Sequence, residues 1–272
     1  MLNQGDLEGA AATFLQVSEG RGALEGWPIA AFRAARALAQ GQLSEASELA
    51  DLAHRLGAAL GDTNDAVQAM QRWTVARMTG DLVAAVEWQQ RSTTTAIGRV
   101  FPGAAMNALA AGDEAEARSL LATWARLVKP HAPAFMWYWI VHYVSVLALR
   151  LDDLTGIEEF VDYAEGFGGE LLGDDVLIGG AADATRGRFA AVQRRFDDAI
   201  TLLEDGHLLH QQLGLRALTV ESGIDLGAVL LRSKGLGDRD RDRASEILGE
   251  TARLAEELGM TPAQAEANAL LT

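Results

Sequence analysis

Gly80-Asp-Leu-Val-Ala-Ala85 and Gly112-Asp-Glu-Ala-Glu-Ala117 are two copies of one phrase: a small or polar turn, then a small anchor residue with acidic neighbours. Further copies read Gly5-Asp-Leu-Glu-Gly-Ala10 and Gly41-Gln-Leu-Ser-Glu-Ala46, with weaker ones at Asp152-Asp-Leu-Thr-Gly-Ile157, Arg194-Arg-Phe-Asp-Asp-Ala199 and Arg239-Asp-Arg-Asp-Arg-Ala244. Gly or Asp at the turn ends one helix and caps the next, and the acidic residues suit the positive end of the new helix. A small anchor lets two helices approach closely where they cross. One turn beyond the anchors come Phe14, Ala50, Gln89, Leu121, Val161, Leu203 and Leu248. All but Gln89 are apolar, as one buried stripe requires, and Trp88 is expected to take the core position that Gln89 leaves.

The helices that follow the phrase stop alike. Leu60-Gly61, Leu213-Gly214 and Leu258-Gly259 each pair an apolar residue with a glycine able to take a left-handed cap. The helices that precede the phrase are predicted at 28–40, 64–78, 103–110, 134–150, 176–192 and 216–233. No alternating β-branched run bounded by turns competes with them. The expectation is an all-α chain of stacked helix-turn-helix pairs, one domain over residues 1–272 with turns near 5, 41, 80, 112, 152, 194 and 239.

The order Gly-Asp-x-x-x-Ala at the start of each second helix resembles the tetratricopeptide repeat, and the anchors recur around that family's ~34-residue period. The Trp, Tyr and Pro positions of the family signature are mostly not kept. The resemblance implies a right-handed α-solenoid of about seven repeats that binds a partner instead of catalysing a reaction. Long second helices ending in Leu-Gly, and the closing stretches Ala252-Arg-Leu-Ala-Glu-Glu-Leu-Gly-Met260 and Ala265-Glu-Ala-Asn-Ala-Leu-Leu271, are similar in style to the repeat regions of two groups of large bacterial proteins. Those are the LuxR-type ATPase regulators and the multidomain adenylate cyclases. Two of their parts are missing: no phosphate-binding G-x-x-x-x-G-K-[ST] loop occurs, and no DNA-reading helix-turn-helix follows the array. Gly5 is already the turn before a second helix, so the chain is expected to be a piece of a longer polypeptide.

Composition narrows the partners. The net charge of −15 over 272 residues argues against direct nucleic-acid binding, which needs Lys and Arg to displace counterions from phosphate. Cysteine is absent, which excludes disulfides, thiol nucleophiles and Cys-based zinc sites and suits a cytoplasmic protein. Scarce lysine, at Lys129 and Lys234 only, beside abundant Arg, Ala, Gly and Leu reads as the coding bias of a GC-rich bacterium. The N-terminus has neither the basic start nor the apolar core of a signal peptide. The most apolar stretch, Phe135 to Leu149, includes His142 and falls short of the ~20 residues that span a bilayer, so no membrane contact is expected.

Motifs that could carry chemistry have simpler readings. Glu204, His207 and His210 share a helix face, but the second ligand pair of a metal bundle is missing; the nearest echo, Asp51 with His54, lies repeats away. Asp238-x-Asp240-x-Asp242 resembles the start of a calcium loop, yet Arg243 and Gly249 stand where that loop needs Gly and Glu. It is expected to form a charged inter-helix turn. Gly166-Phe-Gly-Gly-Glu-Leu-Leu-Gly173 follows a helix instead of a strand and reads as a loop, not a dinucleotide site. The pairs Glu158/Glu159 and Asp197/Asp198 sit at helix starts, where capping explains them. No catalytic residue, cofactor or metal is therefore assigned.

One segment carries a binding expectation. Phe135-Met-Trp-Tyr-Trp-Ile-Val-His-Tyr-Val144 is apolar all round, either because repeats pack on both sides of it or because part of it faces the groove where solenoids bind partners. The candidate groove comprises Met70, Trp73, Trp137, Tyr138, Trp139, His142, Tyr143, Arg186 and Arg188. The expected function is a non-catalytic interaction scaffold in bacterial signalling or transcription regulation. Its partner would be a protein or peptide, including another domain of the same parent polypeptide. The alternative is a sensor with an apolar pocket around residues 135–144. An unfinished end would also allow a homo-oligomer.

Overall fold

The computed structural model describes residues 23–96, 98–128, 137–174, 176–233 and 238–272. Its helices are α1 (Ala23–Gln40), α2 (Leu43–Leu56), α3 (Asp62–Thr79), α4 (Leu82–Thr93), α5 (Gly103–Ala110), α6 (Glu114–Val128), α7 (Trp137–Leu151) and α8 (Glu158–Ala164). A small hairpin follows, β1 (Leu171–Gly173) and β2 (Ile178–Ala181), then α9 (Ala182–Val192), α10 (Phe196–Gln212), α11 (Arg216–Arg232), α12 (Asp238–Glu257) and α13 (Thr261–Leu270). Among the described residues no helix is long and apolar enough to cross a membrane.

At 41, 80, 112, 152 and 194 the first residue of the phrase is the hinge between helices, whereas Arg239 lies inside α12. Gly41, Gly80 and Gly112 stand at φ 77°, 85° and 81°, and Asp152 and Arg194 take the same left-handed turn at 52° and 66°. The chain then closes on the finished helix: Gly41 N–H donates to Leu38 O (3.0 Å) and Gln42 N–H to Ala37 O (2.9 Å), and Gly80, Gly112 and Arg194 repeat the pattern. Asp81 and Asp113 cap the helices that follow, each accepting a backbone N–H at 3.0 Å. The anchors Ala46, Ala85, Ala117, Ile157, Ala199 and Ala244 are all buried. Gly214 and Gly259 of the Leu-Gly ends are also left-handed, whereas α2 already stops at Leu56, capped by Gly57, and Leu60-Gly61 does not end it. The copy at 5–10, with Phe14, lies outside the described residues.

Two further expectations about local structure are corrected. Asp238–Arg243 is not an inter-helix turn, because α12 already runs from Asp238. The span 176–192 is not one helix either, since α9 begins at Ala182 and the residues before it pair antiparallel with β1, Leu171 opposite Ala181 and Leu172 opposite Gly180. Gly180, at φ 108°, cannot be helical. A Cβ on Gly179 would come within 3.1 Å of His142, and one on Gly180 within 3.2 Å of His210, so a side chain at either position would crowd a histidine, and at Gly180 the positive φ adds backbone strain. Ile178 and Leu171 then cluster with Phe32 of α1 and Leu218 of α11.

The stack closes on itself: α11 packs on α1, and α13 on α3. Leu258 lies over Gly41 and Pro262 over Gly80. The helices that precede the hinges face inward. Residues Trp139–Leu149 of α7 and nearly all of Ala217–Leu230 of α11 are therefore buried on every side, which explains why both are mostly apolar.

Glycine also sets how closely paired helices cross. A Cβ on Gly206 of α10 would stand 2.6 Å from the backbone nitrogen of Ala184 on α9, whereas Gly249 of α12 faces open space. Gly206→Ala is expected to cost about 1–3 kcal/mol of stability. Gly249→Ala should gain about 0.5–1 kcal/mol from helix propensity. Urea denaturation of both variants checks the pair; equal effects would mean that the crossing is not tight.

Candidate functional site

Most of the aromatic residues expected to line a groove are core. Trp73 stands edge-on to Phe101 (4.6 Å) and Tyr143 (5.7 Å), and its Nε1–H donates to Asn107 Oδ1 at 2.9 Å. Met70, Trp139, His142, Tyr143 and Arg188 are buried with it. Trp137 and Tyr138 are half-buried, Trp137 against Phe160 and Tyr163 and Tyr138 against Phe167. Phe135 and Met136 lie outside the described residues. Arg186 parts from Arg188: it reaches Asp183 and Glu165 near the surface. The set is thus no open groove, because α7 sits inside the closed stack with neighbours on every face.

His142 and Arg188 do meet, in a buried chain of alternating charges. Arg77 of α3 donates to Glu221 of α11 (3.2 Å), and Glu221 also takes His142 Nε2 of α7 (3.2 Å). Arg188 of α9 reaches His142 Nδ1 (3.2 Å) and Ser145 Oγ (3.4 Å), and its Nε donates to Asp225 at 2.6 Å. The other oxygen of Asp225 accepts from Arg150 (2.6 Å), whose Nε donates to Glu266 of α13 at 2.7 Å. Three arginines and three carboxylates balance, and they tie five inner helices together. Glu221 and Asp225 share a face of α11 because they lie one helical turn apart.

The charges follow from these contacts. Arg188 donates to His142 Nδ1, so the ring is neutral and its Nε2–H donates to Glu221. Burial lowers the pKa of His142 against the upward pull of Glu221. Burial would push Glu221 up, but His142, Arg77 and Arg188 outweigh it and hold the carboxylate well below its usual range. Arg150 feels the cost of burial too, yet Asp225 and Glu266 raise its pKa and keep it charged. Glu266 moves the other way: burial, only partly offset by Arg150, raises it.

The histidines of α10 belong to a second cluster. His210 Nε2 accepts the Ala181 N–H of β2 (2.8 Å), so its Nδ1–H points at Ser222 Oγ, 3.0 Å away. His207 Nδ1 lies 2.9 Å from the same oxygen, and Ser222 donates to the Leu218 carbonyl at 2.9 Å. Glu204 pairs with Arg243 instead. Asp51 and His54 are likewise taken up, by Gln68 and by Asn64. Among the described residues no group of three His, Asp or Glu could hold a metal ion.

Beside His142 and Tyr143 only about 20 Å³ is empty, room for roughly one water. Two turns along α7 the space opens into a cavity of about 410 Å³ between α3, α5, α7, α11 and α13. Its walls include Met78, Met106, Leu109, Val146, Ile224 and Met260; Arg77, Arg150, Glu221 and Glu266 supply the polar part. A larger, open groove of about 930 Å³ is lined by Arg194, Phe196, Asp197, Arg232 and Arg243 and is mostly polar. The 410 Å³ cavity is the candidate site.

Sequence reasoning picked out His142 and Arg188 but missed Arg77, Arg150, Glu221, Asp225 and Glu266. One signal was available: Glu221 and Asp225 stand a helical turn apart in the otherwise apolar run Ala217–Leu231. Two such carboxylates inside a buried helix require buried cations. Compared with known proteins, no family model matches the chain and no curated protein matches it.

Asp225→Asn leaves Arg188 and Arg150 facing a neutral group and is expected to cost about 3–5 kcal/mol. The half-exposed pair Arg253–Glu257 should be worth under ~1 kcal/mol by the same urea measurement. Burial, with the Arg188 cation nearby, lowers His210 to about 3 from 6.5. Below pH 6.5 the unfolded chain therefore binds the proton that native His210 refuses. The stability this site contributes is whole above pH 6.5 and drains as pH falls towards 3, by about 2 kcal/mol between pH 7 and 5. Denaturation at both pH values, with a smaller difference in His210→Gln, checks it.

Proposed function

We propose that the chain is a non-catalytic regulatory domain that binds a small molecule or the end of a peptide in the central cavity. It then passes occupancy to a protein partner, which can be another domain of the same parent polypeptide. One observation carries the reading: the inner helices, packed tightly elsewhere, leave about 410 Å³ with apolar walls and a charged floor. That volume and mixed lining are those of a small-ligand site. The three methionines, Met78, Met106 and Met260, can repack around ligands of different outline. Away from the cavity, Val83 and Val86 of α4 are exposed together, and Val83 at 72% is the most exposed large apolar residue described. This is a face for the partner. The hinge-and-anchor phrase supports a right-handed solenoid of the tetratricopeptide kind, with about seven repeats. A role in bacterial signalling or transcription regulation, in the cytoplasm, follows from the resemblance to the LuxR-type and cyclase repeat regions.

The neutral dye phenylnaphthylamine, whose fluorescence rises in apolar surroundings, tests the cavity. The expected result is saturable binding of one dye per native chain. Ala263→Phe, which fills the cavity from α13, should weaken binding at least tenfold while leaving the melting temperature unchanged or higher. Absence of saturable binding by the wild-type chain would falsify the reading.

A further inference from the structure

The cavity's polar groups specify more than a small molecule. Among the described residues Arg77 hydrogen-bonds only Glu221, and its Nε–H is buried with no acceptor. Arg150 uses one Nη donor on Asp225 and its Nε on Glu266, out of the five N–H bonds a guanidinium carries. Both arginines border the empty space. The Arg77 Nε–H is therefore an unfilled donor in a buried place, where an unmatched donor is costly, and Arg150 has N–H bonds to spare beside it.

Charge balance then selects the ligand's head. The network is neutral, so an entering anion leaves one negative charge too many unless a resident carboxylate departs. Glu266 is the one able to leave: its side chain is 41% exposed, against 13% for Glu221 and 0% for Asp225. It sits on α13, in which Ala267 alone is fully buried, and can turn to water without crossing the core. An entering cation would instead have to expel Arg77 or Arg150, whose side chains are only 20% and 19% exposed. A neutral head would displace neither.

We infer that the cavity takes an apolar molecule ending in a carboxylate, whose head binds Arg77 and Arg150 in place of Glu266. The apolar body lies against Met106, Leu109, Val146 and Ile224. Exchange of one carboxylate for another keeps three positive and three negative charges. It also removes the ion pair that holds α13 to α7, so occupancy loosens the helix that closes the stack against α3. The raised pKa of Glu266 agrees with its being the least firmly held of the three carboxylates.

This inference rests on the cavity reading but is tested apart from it. Decanoate, decanol and decylammonium, of equal chain length, compete with phenylnaphthylamine on the full chain. Decanoate is expected to bind at least tenfold tighter than decanol, the worth of one charge-assisted hydrogen bond. Glu266→Gln should tighten decanoate a further severalfold and leave decanol unchanged, since it removes the competing charge. Amides of residues 264–270 should exchange hydrogen faster with decanoate bound and not with decanol. Equal affinity for decanoate and decanol, or tightest binding of decylammonium, overturns the inference while the cavity reading stands. Unchanged affinity in Glu266→Gln, or unchanged exchange in α13, overturns the displacement of Glu266. Failure of the dye itself to bind removes the cavity reading and this inference with it.

Discussion

Asp225 is fully buried, and its two oxygens each accept from an arginine at 2.6 Å. A bare carboxylate in that position would cost several kcal/mol, so the fold holds only if Arg188 and Arg150 arrive together. That requirement fixes α7, α9 and α11 against one another to within a hydrogen-bond length. Glu221, one turn earlier, extends the constraint to α3 through Arg77, and Arg150 extends it to α13 through Glu266. Alanine-rich helices packed by shape alone can slide by a turn at little cost. Paired charges cannot, because a one-turn slip would leave each facing apolar surface.

The hairpin is the same kind of constraint. On the side of His142 and His210 that faces the hairpin there is little room: a Cβ at 179 or 180 would lie about 3.1–3.2 Å from a ring or its Cβ. The chain meets that limit with Gly179 and with Gly180 at positive φ, and Ala181 supplies the N–H that His210 Nε2 needs. A neutral His210 accepts that bond and donates to Ser222, so one ring joins β2 to α11. Burial that makes charging the ring unfavourable also makes this arrangement permanent at neutral pH.

Much of the helical framework was legible in the sequence because its signals are local. A left-handed hinge needs Gly or a tolerant polar residue, and an anchor at a crossing needs a small or neatly packed one. Gly41, Gly80, Gly112, Asp152 and Arg194 obey the first rule, and six described anchors the second. The hairpin was not legible. Gly179 and Gly180 owe their conformation to His142 and His210, which lie far away in sequence. The site was half legible: His142 and Arg188 stood out as groove candidates, but the apolar helix around His142 was equally readable as buried between repeats, and only the closure of the stack decides for burial. Arg150 looks like an ordinary polar helix end, and Glu266 like an ordinary polar position in a short helix, until α13 is seen beside α7.

The closure explains why the cavity lies where it does. Arginine and glutamate side chains need length and a fixed geometry, so helices bridged by them cannot approach as closely as those that meet at Gly187, Gly206 or Gly227. Space remains beside the bridges, and short, lightly buried α13 covers it without filling it. The ion pair that completes the stack and the groups that face the empty volume are therefore the same atoms. A molecule entering that volume must interact with the contact that holds α13 in place. The stability of the closed form and the occupancy of its centre are coupled by geometry, without any separate relay between them.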